Sequence, residues 1–236
     1  MSKVLIIAEA GINHNGDLKT AMELIKAASD SGADIVKFQT FKTDKIVSLK
    51  AEKARYQCKM NSKDDNSQFS MLKKLEMPIE WHRNLMNYAK ECNISFLSTA
   101  FDLESLEFLH GLNLNFFKIP SGEITNKLYL QRLSKYNKPI ILSTGMSSMK
   151  EISDALSILT SNGINKEDIT VLHCNTEYPT PMEDVNLNAM LSIRDQLNVK
   201  IGYSDHTIGI EVAIAAVAIG AKVIEKHFTL NKNMEG

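Results

Sequence analysis

Residues 33–40, ADIVKFQT, have the pattern of a buried β-strand that ends in polar side chains. A short run rich in Ile, Val and Phe is typical of a parallel strand packed between layers. Because side chains alternate along a strand, Lys37 and Gln39 share one side near its end. This stretch therefore predicts a parallel strand whose carboxyl end carries functional groups.

Similar strands recur along the chain and alternate with segments of helical period. Apolar side chains at steps of three or four predict amphipathic helices with buried stripes; these are Leu18, Met22, Ile25 and Ala28, then Trp81, Leu85, Tyr88 and Cys92, then Met149–Leu159 and Ile210–Ile219. The predicted strands are Val4–Ala10, Ala33–Thr40, Ile94–Ser98, Asn115–Ile119, Pro139–Ser143, Ile169–Cys174, Lys200–Tyr203 and Lys222–His227. About eight βα units predict an α/β fold of the (β/α)8, or TIM-barrel, class.

Composition excludes several classes of function. The 236 residues are 44% hydrophobic and 23% charged, which suits one domain with one large core. A net charge of -1 favours neither nucleic acid nor an anionic membrane as a partner. Three cysteines without C-x-x-C spacing, and an N-terminal apolar run too short for a signal peptide, predict a soluble cytoplasmic protein.

One connection, Phe41–Met77, is unusually long, polar and rich in lysine. It is predicted to be a loop insertion after the second strand, at the end of a barrel where active sites lie. A lid or substrate wall and a disordered surface insertion are the two alternatives.

Two lysines at strand ends, Lys37 and Lys118, indicate an anion. Lysine is rarely buried without a partner, so these residues need either neighbouring carboxylates or an anionic ligand. Ser121, Ser143 and Ser204 also fall at strand ends. Together these residues favour a ligand that carries phosphate or carboxylate groups.

Two histidines, His206 and His227, follow the seventh and eighth predicted strands. As neighbours at the end of a barrel they would form either a shared metal site or a general acid/base pair. Glu225 shares the face of His227 if the strand is regular. Imidazoles with oxygen donors and open positions suit Mn²⁺ or Mg²⁺ better than a closed structural zinc site.

The chain resembles the catalytic barrel of the sialic acid synthase family over essentially its whole length. The motifs that carry the resemblance are AEAGINHNG at 8–16, VKFQT at 36–40, FKIPSGE at 117–123, ILSTGM at 141–146, HCNTEYPTP at 173–181, GYSDHT at 202–207 and EKHFT at 225–229. The sequences of residues 13–17 and 38–41 are most similar to those of bacterial members that make sialic or legionaminic acids.

The resemblance implies a transferase of carbohydrate and polysaccharide biosynthesis. It would condense phosphoenolpyruvate with an N-acetylated amino sugar, either N-acetylmannosamine or a 2,4-diacetamido-trideoxyhexose, to give a nonulosonic acid and phosphate. The implied cofactor is a divalent metal, Mn²⁺ first, with Mg²⁺ or Co²⁺ as alternatives.

The resemblance also implies roles for individual residues. The catalytic set is Glu9, Lys118, Glu123 and Glu225, with Glu123 as the base that takes a proton from water. The substrate-binding set is His14, Lys37, Gln39, Thr99, Lys118, Ser121, Ser143, Asn175, Tyr178 and Ser204. The metal ligands are His206 and His227.

Members of the family continue beyond the barrel strands with an eighth helix and a small antifreeze-like domain, and form dimers. Residues 1–236 are therefore expected to be a phosphoenolpyruvate-condensing barrel domain that lacks its last helix, from a protein that is a homodimer at full length. Two alternatives stay open. One is another phosphoenolpyruvate-condensing synthase of 3-deoxy-sugar acids, whose phosphorylated acceptor would need more Arg or Lys; the other is a non-catalytic truncated barrel.

Overall fold

The computed structural model describes residues 3–54, 57 and 67–234, in which strands and helices alternate. The strands are β1 (Leu5–Gly11), β2 (Ile35–Thr40), β3 (Ser95–Ala100), β4 (Phe117–Ile119), β5 (Ile140–Ser143), β6 (Ile169–His173), β7 (Lys200–Asp205) and β8 (Val223–His227). The α-helices are α1 (Leu18–Asp30), α2 (Thr43–Ile46), α3 (Gln68–Leu75), α4 (Ile79–Glu91), α5 (Leu103–Gly111), α6 (Lys127–Ser134), α7 (Met149–Ser161), α8 (Leu187–Leu197) and α9 (Glu211–Ala218). Short 3₁₀ turns lie at Ser121–Glu123, Lys166–Asp168 and Met182–Asp184.

All eight predicted strands are present, each within about two residues of its expected ends. They form one sheet in the order β3-β2-β1-β8-β7-β6-β5-β4. The pairs β2–β3, β4–β5, β5–β6, β6–β7 and β7–β8 are parallel. The predicted (β/α)8 class is confirmed. No helix follows β8 among the described residues 228–234, and no described helix is long and apolar enough to cross a membrane.

Contacts divide the chain into two compact units. We call Ala8–Phe108 with His227–Gly236 the first unit, and Met1–Ile7 with Leu109–Lys226 the second unit. The first unit has a core of α1, β2 and α4 side chains around Phe38. The second unit buries Tyr129 of α6, Leu159 of α7 and Ile193 of α8. The single domain expected from composition stays a prediction.

The predicted helical stripes are confirmed in α1, α4 and α7. Ile25, Ala28 and Leu85 are buried, and Trp81 packs against the same core. The other members of the first two stripes are partly buried against it: Leu18, Met22, Tyr88 and Cys92. Helix α7 buries Ile152, Ala155, Leu156 and Leu159.

The predicted stripe over Ile210–Ile219 is only partly correct. Helix α9 buries Val212 and Ala216, but Ile210 and Ile214 are each 61% exposed. The pattern is apolar almost all round, so periodicity alone could not tell which face is covered.

The connection Phe41–Met77 is not simply a loop, because its described part contains α2 and α3. Glu76 joins its two ends: it accepts hydrogen bonds from Thr43 N at 3.0 Å and Oγ1 at 2.9 Å, and it pairs with Lys73 at 3.0 Å. Burial raises the pKa of Glu76, but these hydrogen bonds outweigh it and lower the pKa below its usual value. Residues 55–56 and 58–66 of the predicted insertion lie outside the described residues.

Two histidines of the first unit, His14 and His82, are fully buried. His14 Nδ1 accepts the Gly16 amide at 3.0 Å, and the His14 ring packs edge-on to Trp81. His82 Nε2 lies 2.8 Å from Thr40 Oγ1. Burial lowers the pKa of each ring from 6.5 to about 4, which keeps both neutral in the folded protein.

Acid should destabilise the fold through these two rings. The unfolded chain takes up protons near pH 6.5 and the folded chain near pH 4, so their contribution is complete above about pH 6.5 and is lost as the pH falls towards about 4. Each ring contributes about 3 kcal/mol. Urea unfolding at a series of pH values, followed by circular dichroism, measures the loss.

The control is His14→Phe, which keeps an aromatic ring against Trp81 but cannot titrate. Its stability should fall less steeply between about pH 6.5 and pH 4 than that of the parent. An unchanged slope in both His14→Phe and His82→Gln would contradict the assignment.

Candidate active site

At the end of β2, a buried ion pair joins Lys37 to Glu9 of β1. Lys37 Nζ lies 2.6 Å from Glu9 Oε2, and the two side chains are 4% and 2% exposed. The lysine also donates to Thr99 Oγ1 at 3.1 Å, and Gln39 Nε2 donates to Glu9 Oε1 at 3.2 Å. The step of two along β2 places Lys37 and Gln39 on one side of the strand, as predicted, and there both contact the Glu9 carboxylate.

A second pair of the same kind lies in the second unit. Lys118 Nζ of β4 is 3.2 Å from Glu225 Oε1 of β8, with the two side chains 4% and 6% exposed. Ser204 Oγ of β7 donates to the same carboxylate oxygen at 2.8 Å. In both units the first of the two predicted anion sources, a neighbouring carboxylate, is therefore present.

Burial explains why each lysine has a carboxylate beside it. Removing an ammonium group from water costs several kcal/mol, and a close counter-ion with further hydrogen bonds offsets that cost. Truncation of one partner would leave the other charge buried, which is strongly destabilising. These pairs hold cationic nitrogen atoms at fixed positions where two strands end.

The His206 ring is held by the loop that follows β6. His206 Nδ1 lies 2.6 Å from the Asn175 carbonyl oxygen, so this nitrogen carries the proton and donates. Nε2 lies 3.3 Å from Ser204 Oγ. The Tyr178 ring packs on the imidazole with centroids 4.2 Å apart, and Thr180 N donates to the His206 carbonyl at 2.9 Å.

The Ser121 side chain is held by the backbone amide of Gly145, which lies close to it. Its Oγ accepts the Gly145 amide at 2.8 Å and lies 3.5 Å from Cys174 Sγ. A Cβ at Gly145 would lie 2.5 Å from Thr176 Cγ2 and 2.9 Å from Ser121 Oγ. Only glycine fits at this position. With its lone pair occupied by the amide, the Ser121 hydroxyl can still donate to an anion.

His227 lies beside Glu9 and Gln39 in the first unit. All three surround Gly11, where an added Cβ would lie 3.4 Å from Glu9 Oε1, 3.5 Å from Gln39 Nε2 and 3.7 Å from His227 Cε1. Gly11 has φ of +57°, a conformation that also favours glycine. His227 is an exposed residue.

The remaining predicted residues have varied surroundings. Ser143 is buried at the end of β5, and Glu123 accepts from Asn126 Nδ2 at 2.7 Å. Asn175 donates its side-chain amide to the Asp184 carbonyl at 3.1 Å, which turns its oxygen inward. His14 is fully buried, so its predicted contact with substrate would require it to become accessible.

His206 and His227 are the candidate ligands of a divalent metal. Within the described residues, no group of three or more His, Cys, Asp or Glu side chains could hold a metal ion. A site with two imidazoles completed by water and substrate needs no such group. The Nδ1–H tautomer of His206 fits a metal ligand, because a carbonyl acceptor orients the ring and leaves Nε2 as the donor atom. His206 and His227 belong to different units, and their sharing of one ion stays a prediction.

Sequence reasoning missed four residues around this site: Gly145, Asp205, Thr207 and Lys226. Asp205 is fully buried and pairs with Lys226 at 2.7 Å. Both charges stand next to predicted site residues in β7 and β8. The available signal for this pair was Asp205 just after the predicted seventh strand and Lys226 within the predicted eighth, whereas the close approach at Gly145 had none.

Comparison with known proteins gives consistent matches. Residues 24–236 match the NeuB family. N,N'-diacetyllegionaminic acid synthase of Campylobacter jejuni is 58% identical over all 236 residues, which span 70% of its length. The synthase of that name from Legionella pneumophila is 48% identical over 233 residues, 98% of this chain and 65% of that protein. The crystal structure of N-acetylneuraminic acid (sialic acid) synthetase from Leptospira borgpetersenii, in complex with citrate, has a TM-score of 0.86 and 32% identity, covering 100% of this chain and 76% of that one.

The (β/α)8 fold with lysines, carboxylates and histidines on its strands, together with relatives that are named synthases, identifies a barrel enzyme of the synthase class. The chain belongs to the NeuB family. It spans about two thirds of the length of the curated relatives that it matches.

Substitution of Gly145 should disturb Ser121. Gly145→Ala would force Thr176 and Ser121 apart and should cost about 1–3 kcal/mol of unfolding free energy. Chemical denaturation measures this cost. Gly111→Ala is the matched control, because nothing lies within 4 Å of a Cβ there and its cost should be small.

A second substitution locates the clash. Thr176→Ser removes the methyl group at 2.5 Å, so it should restore part of the stability of Gly145→Ala. Purely additive costs in the double variant would argue against the contact.

Proposed function

We propose that this chain is the phosphoenolpyruvate-condensing part of a nonulosonic acid synthase. Phosphoenolpyruvate, an N-acetylated hexosamine and water would give a nonulosonic acid and inorganic phosphate. The observation that carries the proposal is the 58% identity, over the whole chain, to a protein named N,N'-diacetyllegionaminic acid synthase. That name favours a 2,4-diacetamido-trideoxyhexose over N-acetylmannosamine as the acceptor.

The buried lysines support the binding of an acidic substrate. Lys37 and Lys118 are cations already desolvated at strand ends, where charge-assisted hydrogen bonds to phosphate or carboxylate are stronger than in water. Thr99, Ser121 and Ser143 add hydroxyl donors and Asn175 adds an amide, while Ser204 orients the Glu225 carboxylate. Glu9 and Glu225 fix the lysine nitrogen atoms in advance, which reduces the ordering needed when the ligand binds.

The enol phosphate of phosphoenolpyruvate is a weak carbon nucleophile, so the aldehyde that it attacks must be polarised. A divalent cation held by His206 and His227 would polarise the acceptor aldehyde as a Lewis acid. Glu123 takes a proton from the water that adds to the former enol carbon. Lys37 and Lys118 stabilise the phosphate as it leaves, while Gln39 and Tyr178 contact the sugar.

We further propose Mn²⁺ as the metal, with Mg²⁺ or Co²⁺ as alternatives, and a cytoplasmic homodimer as the full-length protein. Oxygen donors beside two imidazoles suit these ions. The described cysteines, Cys92 and Cys174, are both free thiols, which suits a reducing compartment.

Product analysis tests the reaction. The full-length protein is incubated with phosphoenolpyruvate, Mn²⁺ and a panel of aldoses, and products are identified by mass spectrometry beside released phosphate. The 2,4-diacetamido-trideoxyhexose should give the highest kcat/KM, and N-acetylmannosamine a lower one. Turnover only with a phosphorylated aldose would contradict the proposed acceptor, and the absence of any product would contradict the proposed reaction.

Metal binding is tested on the two histidines. His206→Ala and His227→Ala should each weaken Mn²⁺ binding by about tenfold or more, because each removes one direct ligand. The electron paramagnetic resonance signal of free Mn²⁺ measures the affinity. His110→Ala, at an exposed histidine in the last turn of α5, is the control and should bind like the parent. Parental affinity in both site variants would show that the ligands lie elsewhere.

A further inference from the structure

The turn that carries His206 is held from the opposite side of β7. Asp205 Oδ1 accepts Thr207 N at 2.9 Å and Thr207 Oγ1 at 2.7 Å. Lys226 Nζ of β8 donates to Asp205 Oδ2 at 2.7 Å and to the Thr207 carbonyl at 2.8 Å. We call Asp205, Thr207 and Lys226 the turn clamp.

Strand alternation places the clamp away from the Ser204–Glu225 contact. Ser204 pairs with Glu225 and Asp205 with Lys226 in the register of β7 and β8, so successive pairs point to opposite faces. The clamp therefore does not share the carboxylate that holds Lys118. Asp205 is fully buried, and the Lys226 side chain is 27% exposed.

The clamp fixes both neighbours of His206, while other contacts fix the residue itself. The Thr180 amide holds its carbonyl, and the Asn175 carbonyl holds its Nδ1–H at 2.6 Å. A ring so held keeps a proton on Nδ1, and the neutral form of such a ring has its lone pair on Nε2. A histidine in water favours the Nε2–H form, so this tautomer has to be maintained by the surrounding structure.

We propose that Asp205, Thr207 and Lys226 are positioning residues that keep His206 in the Nδ1–H form with Nε2 directed for metal binding. The metal part of this inference rests on the proposed function. The clamp would act through the turn, because its contacts are to the backbone and side chain of Thr207 and to Asp205. A salt bridge of purely structural value would alter stability and leave the His206 tautomer unchanged.

The test uses the full-length protein with ¹⁵N-labelled histidine. The imidazole nitrogen and carbon-bound proton correlations report the tautomer of each ring, and the His206 signals are assigned by their loss in His206→Gln. Thr207→Val keeps the size and the backbone donor but removes one hydrogen bond to Asp205, and Lys226→Met removes the cation. Thr207→Ser and Lys226→Arg are the conservative partners.

The expected result is a loss of the pure Nδ1–H pattern in Thr207→Val and Lys226→Met, with restoration in Thr207→Ser and at least partial restoration in Lys226→Arg. Mn²⁺ affinity, measured from the free-ion resonance signal, should fall by about tenfold in the first two variants, since supporting contacts to a metal ligand typically have effects of this size. Lys150→Met, which breaks the exposed Lys150–Asp154 pair on α7, should change neither measurement.

An unchanged tautomer in the folded Thr207→Val protein would overturn the proposal, even if Lys226→Met failed to fold. A changed tautomer with parental Mn²⁺ affinity would overturn the role in metal binding. If the parent itself bound no Mn²⁺ or formed no nonulosonic acid, the proposed function would fail, whereas the tautomer measurement would still decide whether the clamp positions His206.

Discussion

The burial of a lysine in a parallel strand is the constraint on which the polar cluster of each unit depends. Lys37 and Lys118 are almost fully buried, and an isolated ammonium group in that environment would be far too costly. Each therefore lies against one carboxylate, Glu9 or Glu225, that a different strand supplies. The ion pair then orders its neighbours, because Gln39 and Ser204 donate to the same carboxylates.

Much of the fold could be predicted from the sequence because its signals are local. Apolar runs such as ADIVKFQT identify strands, and period two places Lys37 and Gln39 together. Which carboxylate neutralises Lys118 was not predictable, since Glu225 is 107 residues away in the chain and the pairing depends on strand order. The helices α2 and α3 were missed because their sequences are polar and short. The exposed face of α9 was missed because almost every side of that helix is apolar.

Side chains on both faces of β7 contribute to the surroundings of His206, although functional groups were predicted on only one face. On β7, Ser204 turns to the carboxylate of Glu225, and Asp205 turns the other way to Lys226. The buried Asp205 carboxylate, on the face opposite Ser204, holds the turn after the strand through Thr207 and Lys226. The position of the His206 ring thus depends on residues that would not be identified as ligand-binding groups.

Charge balance also indicates why the lysines alone would not suffice for an acidic substrate. Each Lys–Glu pair is neutral, so an approaching phosphate or carboxylate gains from the ammonium group and is repelled by the nearby Glu. Net attraction then depends on donors that carry no counter-ion, such as the Ser121 hydroxyl, and on added positive charge. A lysine that is already paired with a glutamate therefore binds an acidic substrate well only where such donors or a further cation lie beside it.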